Sequence, residues 1–185
     1  MQIRPATQKD SKTIAQFLFM AMEDIIYQFI KIEDKERALN FLHHFTAKTN
    51  NQYSWQNCFI GNIDDKVIAV ANVYNGANLQ LLRLPVIEFT KSNFNPTFDP
   101  EPETQAGEIY LDCFAVDRHY RGQGFGSKLL EFLIEEFVEK KNQVFGLLVE
   151  KENFNAKKLY QKMGLEYVNE QTLMGKKLEH WQVSL

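Results

Sequence analysis

The order of hydrophobic patterns along the chain predicts an α/β fold, a mixed sheet with helices on both faces. Two β-rich runs meet at Asp64-Asp65, which is favourable hairpin-turn chemistry, so the N-terminal strands are expected to be antiparallel. After residue 107, strand-like runs alternate with amphipathic segments, which predicts a parallel β-α-β centre. With 185 residues, 44% of them hydrophobic, the chain is expected to form a single domain, residues 1–185.

The N-terminal half is predicted to contain three strands and two helices. A strand over residues 2–6 precedes a helix capped by Thr7 or Asp10, and a second helix covers residues 34–48, because apolar residues recur at helical spacing in both. The hairpin strands cover residues 58–63 and 66–74.

The segment from Pro85 to Gly107 is predicted to be a long loop or lid. Its four prolines interrupt every hydrophobic period, and its middle is acidic. Because long loops are often functional and this one directly precedes a central strand, we expect it to cover an active-site cleft.

The C-terminal half is predicted to alternate strands with helices. Strands are expected at residues 108–116, 143–149, 165–172 and 177–183, and helices at 123–140 and 153–163. No internal repeat or low-complexity tract interrupts this order.

Composition narrows the class of partner. The net charge of -3 leaves no basic footprint, so nucleic acid is excluded as a general partner. The chain has no long uninterrupted apolar run and no basic-then-apolar start, which predicts a soluble, cytoplasmic protein with no membrane partner.

Cys58 and Cys113 stand in separate apolar runs without metal-ligand spacing, so we interpret them as buried hydrophobic residues and expect no metal site. A homodimer is left open.

The predicted strand at residues 108–116 carries acidic residues where a central strand is usually apolar. Strict alternation divides it into a core set, Ile109, Leu111, Cys113 and Ala115, and an opposite set, Glu108, Tyr110, Asp112, Phe114 and Val116. Carboxylates in such a place are costly unless they are solvated or paired. Two interpretations stay open: a water-filled cleft beside Glu108 and Asp112, or a frayed strand start for Glu108 and an arginine partner for Asp112.

A glycine-rich turn at residues 121–126 (RGQGFG) follows this strand. Alternating glycines expose backbone N–H groups, and the next helix points its positive dipole end to the same place, so the turn is expected to bind phosphate. A P-loop is excluded because Ser127 precedes Lys128, and a dinucleotide fingerprint is met only in part because Ser127 stands where the third glycine belongs.

Two ordered motifs resemble those of the GNAT superfamily of N-acetyltransferases. The run from residue 108 to 130 resembles the acetyl-CoA signature of that family, whose core of Arg or Gln, two residues, Gly, one residue, then Gly or Ala is met by Arg121, Gly124 and Gly126. Residues 153–165 resemble its second signature, Asn-x-x-Ala-x-x-Leu-Tyr-x-x-x-Gly-Phe, with Leu165 in place of phenylalanine. The order of elements is similar along nearly the whole chain, except at residues 76–107.

The resemblance implies acetyl-CoA as the bound donor. The pyrophosphate of coenzyme A would lie on the glycine turn, and the pantetheine arm would pair like an extra strand with the exposed backbone of a strand that splays from its neighbour. The residues implied in donor binding are Phe114, Ala115, Val116, Arg121, Gly122, Gln123, Gly124, Phe125, Gly126, Ser127, Asn153 and Tyr160.

The resemblance also implies transfer of the acetyl group to a primary amine of a small molecule or peptide, which needs a base, an oxyanion site and an acid. Glu108 is the first candidate for the base and Asp112 the second. About 13 Å of extended strand separate them, so only one can lie near the thioester. Tyr160 is expected to be the general acid, and Asn153 to cap the last helix as well as contact the donor.

The motifs leave the acceptor open. Acidic residues favour a cationic amine such as a polyamine, an aminoglycoside-like compound or a protein N-terminus; they are Glu23, Asp24, Glu33, Asp34, Asp99, Glu101 and Glu103. A competing function is an acyl-CoA-binding sensor or scaffold without turnover. A nucleotide-binding enzyme is the third interpretation.

Overall fold

The computed structural model describes residues 1–185 and contains one seven-stranded mixed sheet in the order β1-β2-β3-β4-β5-β7-β6. The strands are β1 (Gln2–Pro5), β2 (Cys58–Ile63), β3 (Lys66–Asn75), β4 (Glu108–Val116), β5 (Val144–Glu150), β6 (Glu166–Leu173) and β7 (Lys176–Val183). Only β4 and β5 run parallel, and every other neighbouring pair is antiparallel. The predicted fold class is confirmed.

Helices cover both faces of the sheet, as the sequence predicts. They are α1 (Ser11–Ile30), α2 (Lys35–Thr46), α3 (Leu79–Asn93), α4 (Phe125–Ile134) and α5 (Phe154–Lys162). One core cluster joins α1 and α2 to the sheet through residues such as Ile14, Leu18 and Phe41. The other joins α4 to the opposite face through Leu129 and Leu133. A π-helical turn, Glu135–Glu139, extends α4.

Local turn and helix chemistry explain the first half of the fold. Asp64 and Asp65 have φ of 45° and 64°, the left-handed pair that a tight two-residue hairpin turn needs. Residues Gln8–Ile30 are long and apolar enough to cross a membrane by length and composition alone. Half of this apolar window is buried inside the protein, as in the core helix of a folded domain.

The predicted loop at residues 85–107 is wrong in its first part, because α3 continues through Pro85 as far as Asn93. Leu79, Arg83, Val86 and Thr90 are the buried residues of α3 and recur at helical spacing, so tertiary packing outweighs the cost of a proline inside the helix. Residues 94–107 contain no regular helix or strand.

The strict alternation predicted for β4 is also wrong beyond Asp112. Asn72 pairs with Cys113 while Val73 pairs with Leu111, so Asp112 is the extra residue of a β-bulge. Cys113 and Ala115 therefore lie in the core under α1 and α2, whereas Ile109 and Leu111 lie in the core under α4. Phe114 and Val116 pack against that second core and do not share a face with Asp112.

Candidate active site

The parallel strands β4 and β5 separate in the middle of the sheet. Their pairing runs from Glu108 opposite Val144 to Leu111 opposite Leu147 and then stops, while β5 continues beside β7. The bulge at Asp112 bends β4 at the point where the pairing ends. The rest of β4, through Val116, presents an unpaired backbone edge to the gap, and such an edge can add an extended ligand as an extra strand.

The glycine turn lies at the end of this unpaired edge. Gly122 and Gly124 have φ of 74° and 81°, and a Cβ at either position would meet no atom within 4 Å, so the turn is open on its outer side. No side chain caps α4, which leaves its first N–H groups free for an anion. A Cβ at Gly126 would lie 3.2 Å from Cζ of Phe114, so glycine lets α4 approach β4 closely.

These features fit a ligand that combines a pyrophosphate with an extended arm, as coenzyme A does. The uncapped helix start and the open glycine turn suit the phosphates, and the unpaired edge of β4 suits the arm. Arg121 is mostly exposed and donates from Nε to the Val116 carbonyl at 3.0 Å, which places its charge between the strand edge and the turn.

Two cavities meet at the gap between the strands. The smaller, of about 180 Å³, is bounded by Leu111, Cys113, Phe114 and Leu147, and we call it the strand-gap cavity. The larger, of about 300 Å³, extends from it towards β7, and we call it the main cavity. Six residues line both: Ala21, Met22, Ile25, Asp112, Leu148 and Tyr160. Asp112 and Tyr160 are the only polar side chains among them.

Helix α1 is kinked where it forms part of this shared wall. Met22 has non-helical backbone angles, φ -133° and ψ 34°, inside α1. Met22 touches both cavities, and neither proline nor glycine causes the kink. Ala21 and Ile25, on either side of it, also line both cavities, so the kinked segment as a whole forms this wall.

Asp112 lies on the floor of the main cavity inside a polar cluster. Its Oδ2 accepts hydrogen bonds from Nε2 of Gln52 at 2.7 Å and from the Tyr74 hydroxyl at 3.0 Å. Burial, together with repulsion from Glu103, raises the pKa of Asp112 to about 7. The carboxyl group therefore exchanges a proton near neutral pH, as a general base must. The arginine of this cluster, Arg83, pairs with Glu103 and not directly with Asp112.

Tyr160, on helix α5, lines both cavities together with Asp112. Its side chain is buried, and burial raises the pKa of Tyr160 to about 12, so the phenol stays protonated at neutral pH. Asn153 caps the same helix by accepting a hydrogen bond from the Ala156 N–H at 3.1 Å, which confirms the predicted cap. Asn153 also lines the main cavity.

Glu108 lies outside both cavities. It is only 3% exposed, and its carboxylate contacts Nε2 of His180 at 2.8 Å, Nε2 of Gln182 at 2.7 Å and the Thr104 hydroxyl at 2.5 Å. Burial acts to raise the pKa of Glu108, but these hydrogen bonds outweigh it and the pKa is lowered. The strand start is thus neither frayed nor part of a water-filled cleft.

The side chain of Glu108 reaches β7 by crossing β5 at Gly146. A Cβ at Gly146 would overlap the carboxylate of Glu108, so only glycine leaves room for this crossing. His180 is fully buried in the same cluster, where it contacts the Glu108 carboxylate away from both cavities.

The remaining polar residues of the site come from segments with no recognisable pattern. Gln52 belongs to a loop and Arg83 to α3, and both are buried. Glu103, one of the predicted acidic residues, lines the main cavity, whereas Asp24 and Glu33 line a separate open depression near the end of α1. The one signal in the sequence was the position of Arg83 inside an apolar run, residues 81–87, and nothing in the sequence pointed to Gln52.

Comparisons with known proteins agree with the fold and with the two motifs. The model of the acetyltransferase (GNAT) family matches residues 26–165. The probable spermine N(1)-acetyltransferase of Bacillus subtilis subsp. natto (strain BEST195) and the spermine/spermidine N(1)-acetyltransferase of Bacillus subtilis (strain 168) are each 30% identical over 95 residues. These matches span 50% of the chain but only 60% of the length of either relative.

Solved structures share the fold of this chain over its full length. A crystal structure described as that of an acetyltransferase is 29% identical, with a TM-score of 0.82, and the match covers 100% of this chain and 99% of that one. An N-acetyltransferase from Staphylococcus aureus Mu50, at 22% identity, shares the fold with a TM-score of 0.83 over 99% of this chain and 100% of that one. Because the family match covers most of the chain, including both motifs, the protein belongs to the acetyltransferase (GNAT) family.

Proposed function

We propose that the protein is an N-acetyltransferase that moves the acetyl group of acetyl-CoA to a primary amine of a small cationic molecule. The observation that carries the proposal is the shared wall of the two cavities, where Asp112 and Tyr160 are the only polar side chains. A base and an acid at the junction of two binding spaces are what transfer from a thioester to an amine requires.

Residues around the strand gap would hold the donor, acetyl-CoA, which would supply an activated acetyl thioester. The N–H groups of residues 122–126 would bind its pyrophosphate, with Arg121 and Ser127 beside them, and the backbone of Phe114, Ala115 and Val116 would pair with its arm. Support comes from the uncapped start of α4 and from the unpaired edge of β4.

Asp112 and Tyr160 handle the protons of the transfer. As the amine nitrogen bonds to the acetyl carbon, Asp112 accepts the proton that the nitrogen loses. As the carbon–sulfur bond breaks, the Tyr160 hydroxyl gives its proton to the departing sulfur, and both side chains then re-equilibrate with water. The interrupted ladder at the bulge offers backbone N–H groups for the developing oxyanion.

The base is proposed as Asp112 and not Glu108. Asp112 borders both cavities and titrates near neutrality, whereas three hydrogen bonds hold Glu108 ionised away from them. A carboxylate with its lone pairs already engaged is a poor proton acceptor.

The main cavity favours an aliphatic amine with more than one positive charge, such as a polyamine. Apolar residues of α1, β5 and β7 form its walls, and Glu103, Asp112 and Glu150 supply carboxyl groups at separate points. One cation, Lys176, also lines the cavity and pairs with Glu150 at 3.4 Å, so the carboxyl groups outnumber it. Its volume of about 300 Å³ suits a small molecule better than a peptide. The names of the two Bacillus subtilis relatives agree with this class. We also propose a soluble, cytoplasmic protein, because half of the apolar window in Gln8–Ile30 is buried inside the fold.

Release of free thiol from acetyl-CoA tests the function. The amine panel pairs spermidine and spermine with a monoamine of similar length and a peptide with a free N-terminus, and we expect turnover to be fastest with the polyamines. Donor binding without turnover on any amine would favour the sensor or scaffold interpretation. Calorimetry with coenzyme A, ATP and NAD gives the second readout, and binding of ATP or NAD alone would overturn the proposal.

A further inference from the structure

We propose that Arg83 is a positioning residue for the transfer: acting through Gln52 and Glu103, it holds the Asp112 carboxylate in place and sets its charge state. The inference rests on the proposed function, in which Asp112 is the base. Arg83 touches neither cavity, and it lies in the part of the chain that neither motif covers.

All three nitrogen atoms of the Arg83 guanidinium group have partners inside the protein. The side chain is 5% exposed. Nη2 forms an ion pair with the Glu103 carboxylate, Nη1 donates to the Glu101 carbonyl at 2.8 Å, and Nε donates to Oε1 of Gln52 at 3.1 Å. Three partners in three directions match the planar fork of arginine, which a lysine ammonium does not reproduce.

The contact with Nε fixes which way the Gln52 amide points. Because Oε1 accepts from Arg83, the NH₂ group faces the two carboxyl groups, and it lies 2.7 Å from Oε1 of Glu103 and 2.7 Å from Oδ2 of Asp112. Both amide hydrogens are then engaged. An amide turned the other way would set its oxygen against both carboxylates.

The backbone of Gln52 is held as firmly as its side chain. Its N–H donates to the Leu82 carbonyl of α3 at 2.9 Å, and its carbonyl accepts from Nδ2 of Asn72 at 3.0 Å. Asn72 stands opposite Cys113 at the bulge of β4. Gln52, the residue that links Arg83 to Asp112, therefore joins its own loop to helix α3 and to the strand opposite the bulge.

Electrostatic interactions also link Arg83 to Asp112. Helix α1 presents only apolar residues to this part of the cavity wall. Two ionisable groups on the same strand, Tyr110 and Cys113, interact with the charge of Asp112. Those on other elements are Tyr53, Cys58, Tyr74, Arg83 and Glu103. Glu103 makes ionisation of Asp112 harder, and Arg83, the one cation among these groups, makes it easier.

The first test is an NMR titration, in which the chemical shift of the Asp112 carboxyl carbon is measured against pH in the ligand-free protein. The second is the pH dependence of kcat/KM. Glu103→Gln removes the repelling charge, so we expect the Asp112 midpoint to fall by about 1 to 3 pH units. Arg83→Gln removes the offsetting charge, so the midpoint should rise by a similar amount. The double variant should return towards the wild-type value.

Arg83→Lys separates charge from geometry. It keeps the positive charge, so the midpoint should stay near that of the wild type, but it cannot hold Gln52 and Glu103 together. We therefore expect kcat to fall by on the order of tenfold with KM little changed. Wild-type kcat with lysine would show that the fork does not position the base.

The inference and the proposed function fail in different ways. Unchanged Asp112 midpoints in folded Glu103→Gln and Arg83→Gln would overturn the inference even if the wild type acetylates amines. An inactive wild type would overturn the proposed function, and the midpoints would still decide the coupling of charge. If Arg83→Gln does not fold, Arg83→Lys decides through kcat, because it keeps the positive charge and changes only the geometry that holds Gln52 and Glu103.

Discussion

Glu108 and Asp112 are two carboxylates on one strand, four residues apart, in opposite environments. Three side-chain contacts engage Glu108 and lower its pKa, while burial beside Glu103 raises the pKa of Asp112 to about 7. Glu108 ties β4 to β7 across Gly146, whereas Asp112 lines both cavities. The surrounding residues, and not the residue type, therefore make one carboxylate structural and the other reactive.

The two environments also differ in where their partners come from. The partners of Glu108 lie on β7, the strand beyond β5, and on the loop just before β4. Those of Asp112 come from residue 52, β3, α3 and the end of the acidic loop. We therefore expect substitutions at Glu108 to affect stability and substitutions at Asp112 to affect turnover.

The largest expected effect is that of Asp112→Asn on turnover. Asparagine keeps the shape but cannot accept a proton, so kcat/KM should fall by about 10² to 10⁴-fold, the usual contribution of a general base. Initial rates with acetyl-CoA and the best amine measure it, with Glu108→Gln as the matched control. A normal rate for Asp112→Asn combined with an inactive but stable Glu108→Gln would reverse the assignment.

Tyr160→Phe should lower kcat next most, by on the order of 10²-fold, because the departing sulfur loses its proton donor. Affinity for coenzyme A should not change, since ring packing is kept, and calorimetry measures it. Tyr167→Phe on the exposed strand β6 is the control. If Tyr160→Phe weakened coenzyme A binding and left kcat intact, the tyrosine would be a packing residue.

Glu108→Gln should lower the free energy of unfolding by about 1 to 3 kcal/mol, because the amide turns an NH₂ group towards buried donors that a carboxylate satisfied. Denaturant unfolding measures it, and Glu166→Gln on exposed β6 should have little effect. Full stability of Glu108→Gln would mean that the contacts with β7 contribute nothing to the fold.

The last prediction concerns the pH dependence of stability, where the sign is the test. The pKa of Asp112 is raised in the folded protein, to about 7, so its contribution to stability is fully present below about pH 4 and is lost as the pH rises through 7. Asp112→Asn lacks this loss. Its unfolding free energy relative to wild type should therefore increase between pH 4 and 8, by more than about 1 kcal/mol.

Thermal or denaturant unfolding over that pH range checks the sign. Asp24→Asn, on the exposed side of α1, serves as the control. No change with pH in the difference for Asp112→Asn would mean that Asp112 is not held against ionisation, which removes one support of its role as base.

The sequence predicts most of the strands and helices, because their signals are local. The paired aspartates of the hairpin, the apolar spacing of α2 and the capping Asn153 of α5 each act on residues a few positions away, and all appear in the structure. The prediction fails at α3, where Pro85 argues against a helix that is held by burial of Leu79 and Val86.

The same division applies to the candidate site. The open glycine turn and the start of α4 could be predicted, since glycine spacing and a helix terminus are properties of adjacent residues. The polar cluster around Asp112 could not, because Gln52 and Arg83 meet it only through long-range contacts.

By itself, the sequence determined the mixed α/β fold, the two motifs and, through them, membership of the acetyltransferase (GNAT) family. Only the tertiary structure decided which carboxylate lies at the junction of the cavities. One extra residue at the bulge reverses the faces of β4 beyond Asp112, and the pairing of strands far apart in sequence brings Gln52, Arg83 and Glu103 to its side. Strand pairing and burial are cooperative properties of the whole fold, so no short stretch of residues encodes them.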